Sequence, residues 1–65
     1  GETAARWLFD HFPGRWEVRQ TIANPRATDF WRRVIGRYTA GRFEEELLTV
    51  ERWHGHVQRF ESGRA

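Results

Sequence analysis

The chain contains no cysteine and no lysine, a single serine, and no apolar run that approaches the roughly 20 residues a membrane-spanning helix requires. Without cysteine there are no disulfides and no Cys-based zinc site. A Cys nucleophile is excluded as well, and the one serine, Ser62, lies near the end of the sequence, so no nucleophilic triad is legible. The N-terminus lacks a basic-then-apolar signal pattern, and the expected compartment is cytoplasmic. No internal repeat, low-complexity tract or linker interrupts residues 1–65, which read as a single partial domain.

What is present is aromatic and arginine-rich. A domain of about 60 residues buries only roughly 60% of the surface its unfolded chain exposes, which leaves little margin. The chain has four Trp, five Phe and one Tyr, each burying a large apolar area, so a small aromatic core is expected. Further support is expected from a second chain, in a homo-oligomer, or from a missing N-terminal half. All eleven basic residues are Arg, which lifts the pI to about 10.4 although the formal net charge is only +2. Nine acids are interspersed among them, so no long single-sign run points to nucleic acid.

Punctuation along the chain is clear. Ala4, Ala5, Leu8, Phe9 and Phe12 recur at helical spacing before Pro13-Gly14, which predicts a short amphipathic helix over Thr3 to Phe12. From Arg15 to Ile22 the period changes to two, with Trp16, Val18 and Ile22 on one face, Glu17, Arg19 and Thr21 on the other, and Gln20 as the polar exception on the apolar face. Asn24-Pro25 is a strong helix start, a side-chain acceptor followed by a residue whose missing N–H costs nothing at that position. Behind it Ala27, Phe30, Trp31, Val34, Ile35 and Tyr38 form an apolar stripe suited to packing on a sheet, with Arg26, Arg32, Arg33 and Arg37 on the remaining circumference. Gly36 weakens the last turn by up to about 1 kcal/mol. Phe43 to Val50 and His56 to Phe60 read as strands joined through Glu51 to Gly55 in an antiparallel hairpin.

The order helix, strand, helix, strand, strand gives an α/β (α+β) fold in which the second helix covers one face of a partly antiparallel sheet. Three strands make a small sheet. The strand from Arg15 is expected to keep one open edge, which invites pairing with strands from elsewhere.

The residues Asn24-Pro25-Arg26-Ala27 and Phe30-Trp31, set between a strand and a hairpin and preceded by a helix that starts after Gly1, resemble the C-terminal half of the GNAT N-acetyltransferases. Phe30 to Ile35 and Trp53 to Phe60 resemble a bacterial subgroup of predicted members more specifically. The resemblance implies an acyl-CoA N-acyltransferase half fold that binds acetyl-CoA as acyl donor and serves an unspecified amine acceptor. It implies that Gly1, Glu2 and Thr3 present backbone N–H groups to the cofactor pyrophosphate, in keeping with the anion affinity of helix N-termini. Asn24 and Ala27 would flank the pantetheine arm, and Trp31 and Arg33 belong to the same implied cofactor surface. Trp31 stands where the family often carries a tyrosine that protonates the departing thiolate, and indole cannot serve as that acid. The Gly-Phe pair usual after this helix is absent. The elements that polarise the thioester and bind the acceptor would lie in the other half of the fold, so no catalytic residue is assigned and the chain by itself is expected to be incomplete.

Each candidate also has an ordinary role. Asn24 is a helix cap whatever else it touches. Gly1 and its neighbours can fray as chain ends do. Arg32 and Arg33 can be solvated or can pair with phosphates, and Tyr38 fits a core position with its hydroxyl at the rim. His54 and His56 fall in the expected hairpin without a third metal ligand, so no metal is expected. Glu44, Glu45 and Glu46 read as a solvated strand start. If chemistry occurs, direct transfer within a ternary complex is the form it takes, with positioning and carbonyl polarisation as the contributions of the protein. Two other readings stand beside the acetyltransferase half. One is a non-catalytic interaction module that dimerises through its open sheet edge. The other is an arginine and tryptophan nucleic-acid binder, which requires Trp16 or Trp53 to be exposed for stacking.

Overall fold

Local signals set the ends of each element in the computed structural model, which describes residues 1–63 and so leaves the last two residues of the expected 1–65 domain outside the described residues. Helix α1 (Glu2–His11) stops before Pro13, with the Phe12 N–H donating to the Leu8 carbonyl and the Trp16 Nε1 donating to the Phe12 carbonyl at 2.9 Å. The chain then turns at Gly14, whose φ of +132° excludes most side chains, and enters β1 (Gly14–Thr21). Helix α2 (Pro25–Thr39) begins as its sequence requires, with the Ala27 N–H donating to Asn24 Oδ1 at 3.2 Å. It ends where Ala40 adopts a left-handed conformation and the Ala40 and Gly41 N–H groups both return to the Gly36 carbonyl. Strands β2 (Glu44–Val50) and β3 (Trp53–Ser62) complete the chain.

The sheet is ordered β1-β3-β2, and both pairings are antiparallel. The expected mixed sheet is therefore replaced by a wholly antiparallel one, because the last strand inserts between the other two. The hairpin is also tighter than expected. β3 starts at Trp53 after a turn at Glu51 and Arg52, so His54 is part of the strand and not of the turn. Among the described residues, β1 keeps an unpaired outer edge, as the sequence led us to expect.

Strand alternation and register place Trp16, Val18, Gln20, Phe43, Glu45, Leu47, His56, Gln58 and Phe60 on one face of the sheet. Both helices lie on this face. α1 packs through Phe9, whose ring lies 5.0 Å from Trp16 of β1 and 4.9 Å from Phe60 of β3 between centroids. α2 reaches toward β2, where Gly36 lies against the Phe43 ring and Arg32 bonds Glu45. Ala5, Phe9, Val34, Ile35 and Phe60 form the buried core, with Trp16, Val18, Phe30, Trp31, Tyr38 and Phe43 packed around it.

Two features of the expected apolar pattern differ. Ile22 falls beyond β1 and is 52% exposed, while Gln20 takes the buried position on that face. In α1 only Ala5 and Phe9 are buried; Leu8 and Phe12 are 41% and 59% exposed, so the helix buries a narrower stripe than its apolar pattern offers.

No described element covers the opposite face. There Val57 is buried between its cross-strand neighbours Arg19 and Glu46, the Trp53 ring folds over Gly55, and Arg19 lies 5.9 Å from the Trp53 ring. A ladder of ion pairs, Arg19 to Glu17 at 3.0 Å, Glu17 to Arg59 at 3.0 Å and Arg59 to Glu46 at 2.7 Å, ties the three strands together. Arg19 first and Arg59 second hold the Glu17 carboxyl below its ordinary pKa. Among the described residues, no helix is long and apolar enough to cross a membrane.

Candidate functional site

The residues singled out from sequence fall into separate groups. Gly1, Glu2 and Thr3 begin α1, which has no side-chain cap, and the Glu2 carboxylate accepts from Arg37 at 2.9 Å and from Arg6 at 3.3 Å. That places the start of α1 beside the last turns of α2. Asn24 and Ala27 stand at the other end of α2, which is 15 residues and about 22 Å long. Trp31 lies between them with its ring 6.4 Å from Phe9 and 5.1 Å from Phe30, a core contact. Arg33 is on the surface, its guanidinium 5.9 Å from the Phe30 ring. The implied cofactor residues are thus distributed along α2, and they do not converge on one pocket among the described residues.

What does converge is a chain of polar side chains under the first half of α2. Glu45 on β2 receives two hydrogen bonds from Arg32 Nε, at 2.8 and 3.0 Å, and one from Arg32 Nη2 at 2.6 Å. It also receives one from Gln58 Nε2 at 2.8 Å. The Gln58 Oε1 in turn accepts from Gln20 Nε2 at 2.6 Å. The direction of this relay is fixed by its anionic end. A carboxylate only accepts, so Gln58 must turn its amide nitrogen to Glu45 and its oxygen to Gln20, and Gln20 must donate. Its own Oε1 is left pointing away from the relay.

That orphaned acceptor is not alone. Gln20 Oε1, Thr28 Oγ1 and His56 Nδ1 are all buried without a hydrogen-bond partner among the described residues. Gln20 and Thr28 are 5% and 3% exposed, and His56 is the direct cross-strand partner of Gln20. Thr28 enters from the first turns of α2, just after the Asn24 cap. Each unsatisfied buried group costs about 1–3 kcal/mol, so the Gln20 Oε1 acceptor near the end of β1 calls for a donor. An ordered water or a ligand amide has the right chemistry.

Arg32 is the main cause that holds the Glu45 carboxyl down to about 2, reinforced by Gln58 and the nearby His56 against the opposing effect of burial. Glu45 is exposed at the start of β2, as the sequence suggests, and it also anchors the polar relay. Glu46 pairs with Arg59 on the other face. Tyr38 occupies the expected rim position, donating to Asp10 Oδ1 at 2.7 Å. Burial, followed by that bond, raises its pKa. His54 and His56 share the helix face of β3, and among the described residues no group of three or more His, Asp or Glu side chains is placed to hold a metal ion.

Sequence reasoning noticed Gln20 as an exception but did not connect it to Gln58, Glu45 and Arg32. The signal was there in part, since a polar residue on an apolar strand face needs a partner. Its identity depended on which strand lies beside it. Trp16, required exposed by the nucleic-acid reading, is instead packed on Phe9, and Trp53 is half-buried over Gly55. No known family, curated protein or solved structure matches the chain.

Proposed function

We propose that this chain is the acyl-CoA-binding half of an N-acetyltransferase of the GNAT type, cytoplasmic, completed by further strands along the open edge of β1 and transferring acetyl from acetyl-CoA to an amine. The reading rests on the sequence resemblance. The observation that supports it best is the pair of unpartnered polar atoms Gln20 Oε1 and His56 Nδ1 on directly paired residues near the end of β1, with Thr28 Oγ1 likewise unpartnered in the first turns of the Asn24-capped α2. A pantetheine arm carries amide N–H groups that suit an orphaned acceptor, and the resemblance puts that arm between these same two elements. The uncapped start of α1, with Arg37 beside it, is a second place where backbone N–H groups can meet phosphate.

In this reading transfer is direct, and the protein contributes positioning and carbonyl polarisation; no nucleophilic triad is legible in this half. Trp31 leaves protonation of the departing thiolate to another group. The test is calorimetric titration of the chain with acetyl-CoA. Saturable binding that weakens about tenfold in Gln20→Leu, equivalent to ~1.4 kcal/mol, is expected. A folded chain that takes up no acetyl-CoA at millimolar concentration removes the reading.

A second reading is favoured by two observations: Trp7, Leu8 and Phe12 leave an exposed apolar surface on α1, and β1 has an unpaired strand edge among the described residues. In that case the chain is an interaction module, and the same titration gives no response while another chain occupies β1.

A further inference from the structure

We propose that the open edge of β1 is occupied by the β1 strand of a second copy, antiparallel and centred on Val18, to give a continuous six-stranded sheet. The inference rests on the second reading of the open edge and is independent of acyl-CoA.

The backbone of β1 defines which groups are available. Ile22 donates its N–H to the His54 carbonyl at 2.8 Å, and pairing toward β3 recurs at every second residue, so the even-numbered residues of β1 face β3. The N–H and C=O groups of Arg15, Glu17, Arg19 and Thr21 therefore point outward along the free edge. In a two-fold pairing that keeps the helices of both copies on one face, residues of like parity must oppose each other, since directly opposite residues project to the same side. The possible centres are then single residues of the strand.

Charge selects among them. Centring on Glu17 sets Glu17 against Glu17 and Arg15 against Arg19, all like charges. Centring on Arg19 sets Arg19 against itself. Centring on Trp16 brings Arg15 to Glu17 but uses little of the strand. Centring on Val18 places Glu17 opposite Arg19 twice, Arg15 opposite Thr21 twice, and Trp16 opposite Gln20, and it engages nearly all of the eight-residue strand. Opposite charges directly across a strand pair stabilise it, and like charges destabilise it. The other edge, β2, has only Glu44, Glu45 and Glu46 as its charged residues and offers no opposite-charge pair to a second copy.

Helix α1 adds a second surface. Its row Glu2, Arg6 and Asp10 meets Arg37 and Tyr38 of α2, so Ala4 and Leu8 project from the side of the helix away from α2. With the exposed Trp7 and Phe12, these residues leave an apolar surface on α1 that a second copy can cover.

The experiment measures mass by sedimentation over a concentration series without CoA, for the natural chain and charge variants whose folding is checked by circular dichroism. The natural chain is expected to form dimers. Glu17→Arg and Arg19→Glu are each expected to weaken self-association about tenfold, and an equimolar mixture of the two is expected to give a one-to-one heterodimer, because each then opposes unlike charges. As a readout that needs no variant, the amides of Arg15, Glu17, Arg19 and Thr21 should gain hydrogen-exchange protection with protein concentration. A monomer throughout the series overturns the second copy as occupant. A dimer that ignores both variants, or leaves those four amides unprotected, overturns the β1 register while leaving acetyl-CoA binding to be judged by its own titration.

Discussion

Gln58 joins the two halves of the polar relay: fully buried on the central strand, it donates to Glu45 on one side and accepts from Gln20 on the other. Replacing it by Leu, of similar size, strands the Gln20 amide and removes one of the bonds to Glu45. A loss of about 1–3 kcal/mol in urea denaturation is expected. The double variant Gln20→Leu with Gln58→Leu should recover part of that loss, because it removes the stranded donor together with the orphaned Oε1; equal or greater loss would mean the relay does not act as a unit. Arg32 and Glu45 give the relay a pH signature. Glu45 titrates near 2 in the folded chain against an ordinary 4.5, so the folded state binds fewer protons in that interval. The stability this contributes is complete above about pH 4.5 and is lost as pH falls toward 2. The stability difference between the natural chain and Arg32→Met, measured by urea midpoints, should be largest at pH 6 and shrink toward zero at about pH 2. A difference that stays constant with pH would separate Arg32 from the titration.

Two glycines show how differently helix and strand tolerate a methyl group. A Cβ on Gly36 of α2 meets only the Phe43 ring at 3.8 Å, an ordinary contact, so Gly36→Ala should stabilise the chain by about 0.5–1 kcal/mol through helix propensity. A Cβ on Gly55 of β3 collides with the Gln20 carbonyl and comes within 2.6 Å of the Trp53 ring. Gly55→Ala should therefore destabilise by about 1–3 kcal/mol, as overpacking does, and should displace Trp53, visible in its fluorescence. The opposite signs follow from the element: a helical residue on this face can project into a groove, whereas β3 has a strand on each side and Trp53 folded across it.

For the whole molecule, the core is a set of aromatic rings around Phe9, which touches Trp16, Trp31, Tyr38 and Phe60 and is 1% exposed. A Phe→Ala change at such a site costs about 3–5 kcal/mol. Domain stabilities run at about 0.05–0.15 kcal/mol per residue, so the loss is comparable to all the stability a chain of this size holds. Phe9→Ala is expected to abolish the cooperative thermal transition, and a retained transition would show that α1 is not integral to the fold. The same narrow margin is why an uncovered sheet edge matters here: strands supplied by another chain would add surface burial that these residues lack by themselves.

Caps, stops and periodicity are local, so the sequence by itself determined the five elements, the Asn24 cap of α2, the break at Pro13-Gly14 and the core stripe from Val34 to Tyr38. The free edge of β1 was also legible, since three strands cannot close a sheet. The tertiary structure decided what depends on neighbours distant in the chain. It inserted β3 between β1 and β2, which made the sheet wholly antiparallel and brought Gln20 to Gln58 across 38 positions of sequence. It gave the exposed strand-start acid Glu45 a partner in Arg32, left Ile22 and Leu8 in solvent, and set the start of α1 beside Arg37 at the far end of α2 from Asn24. The physical reason is the same in each case. A side chain's period assigns it a face, but only the strand and helix packed against that face determine whether it finds solvent, an apolar neighbour or a hydrogen-bond partner.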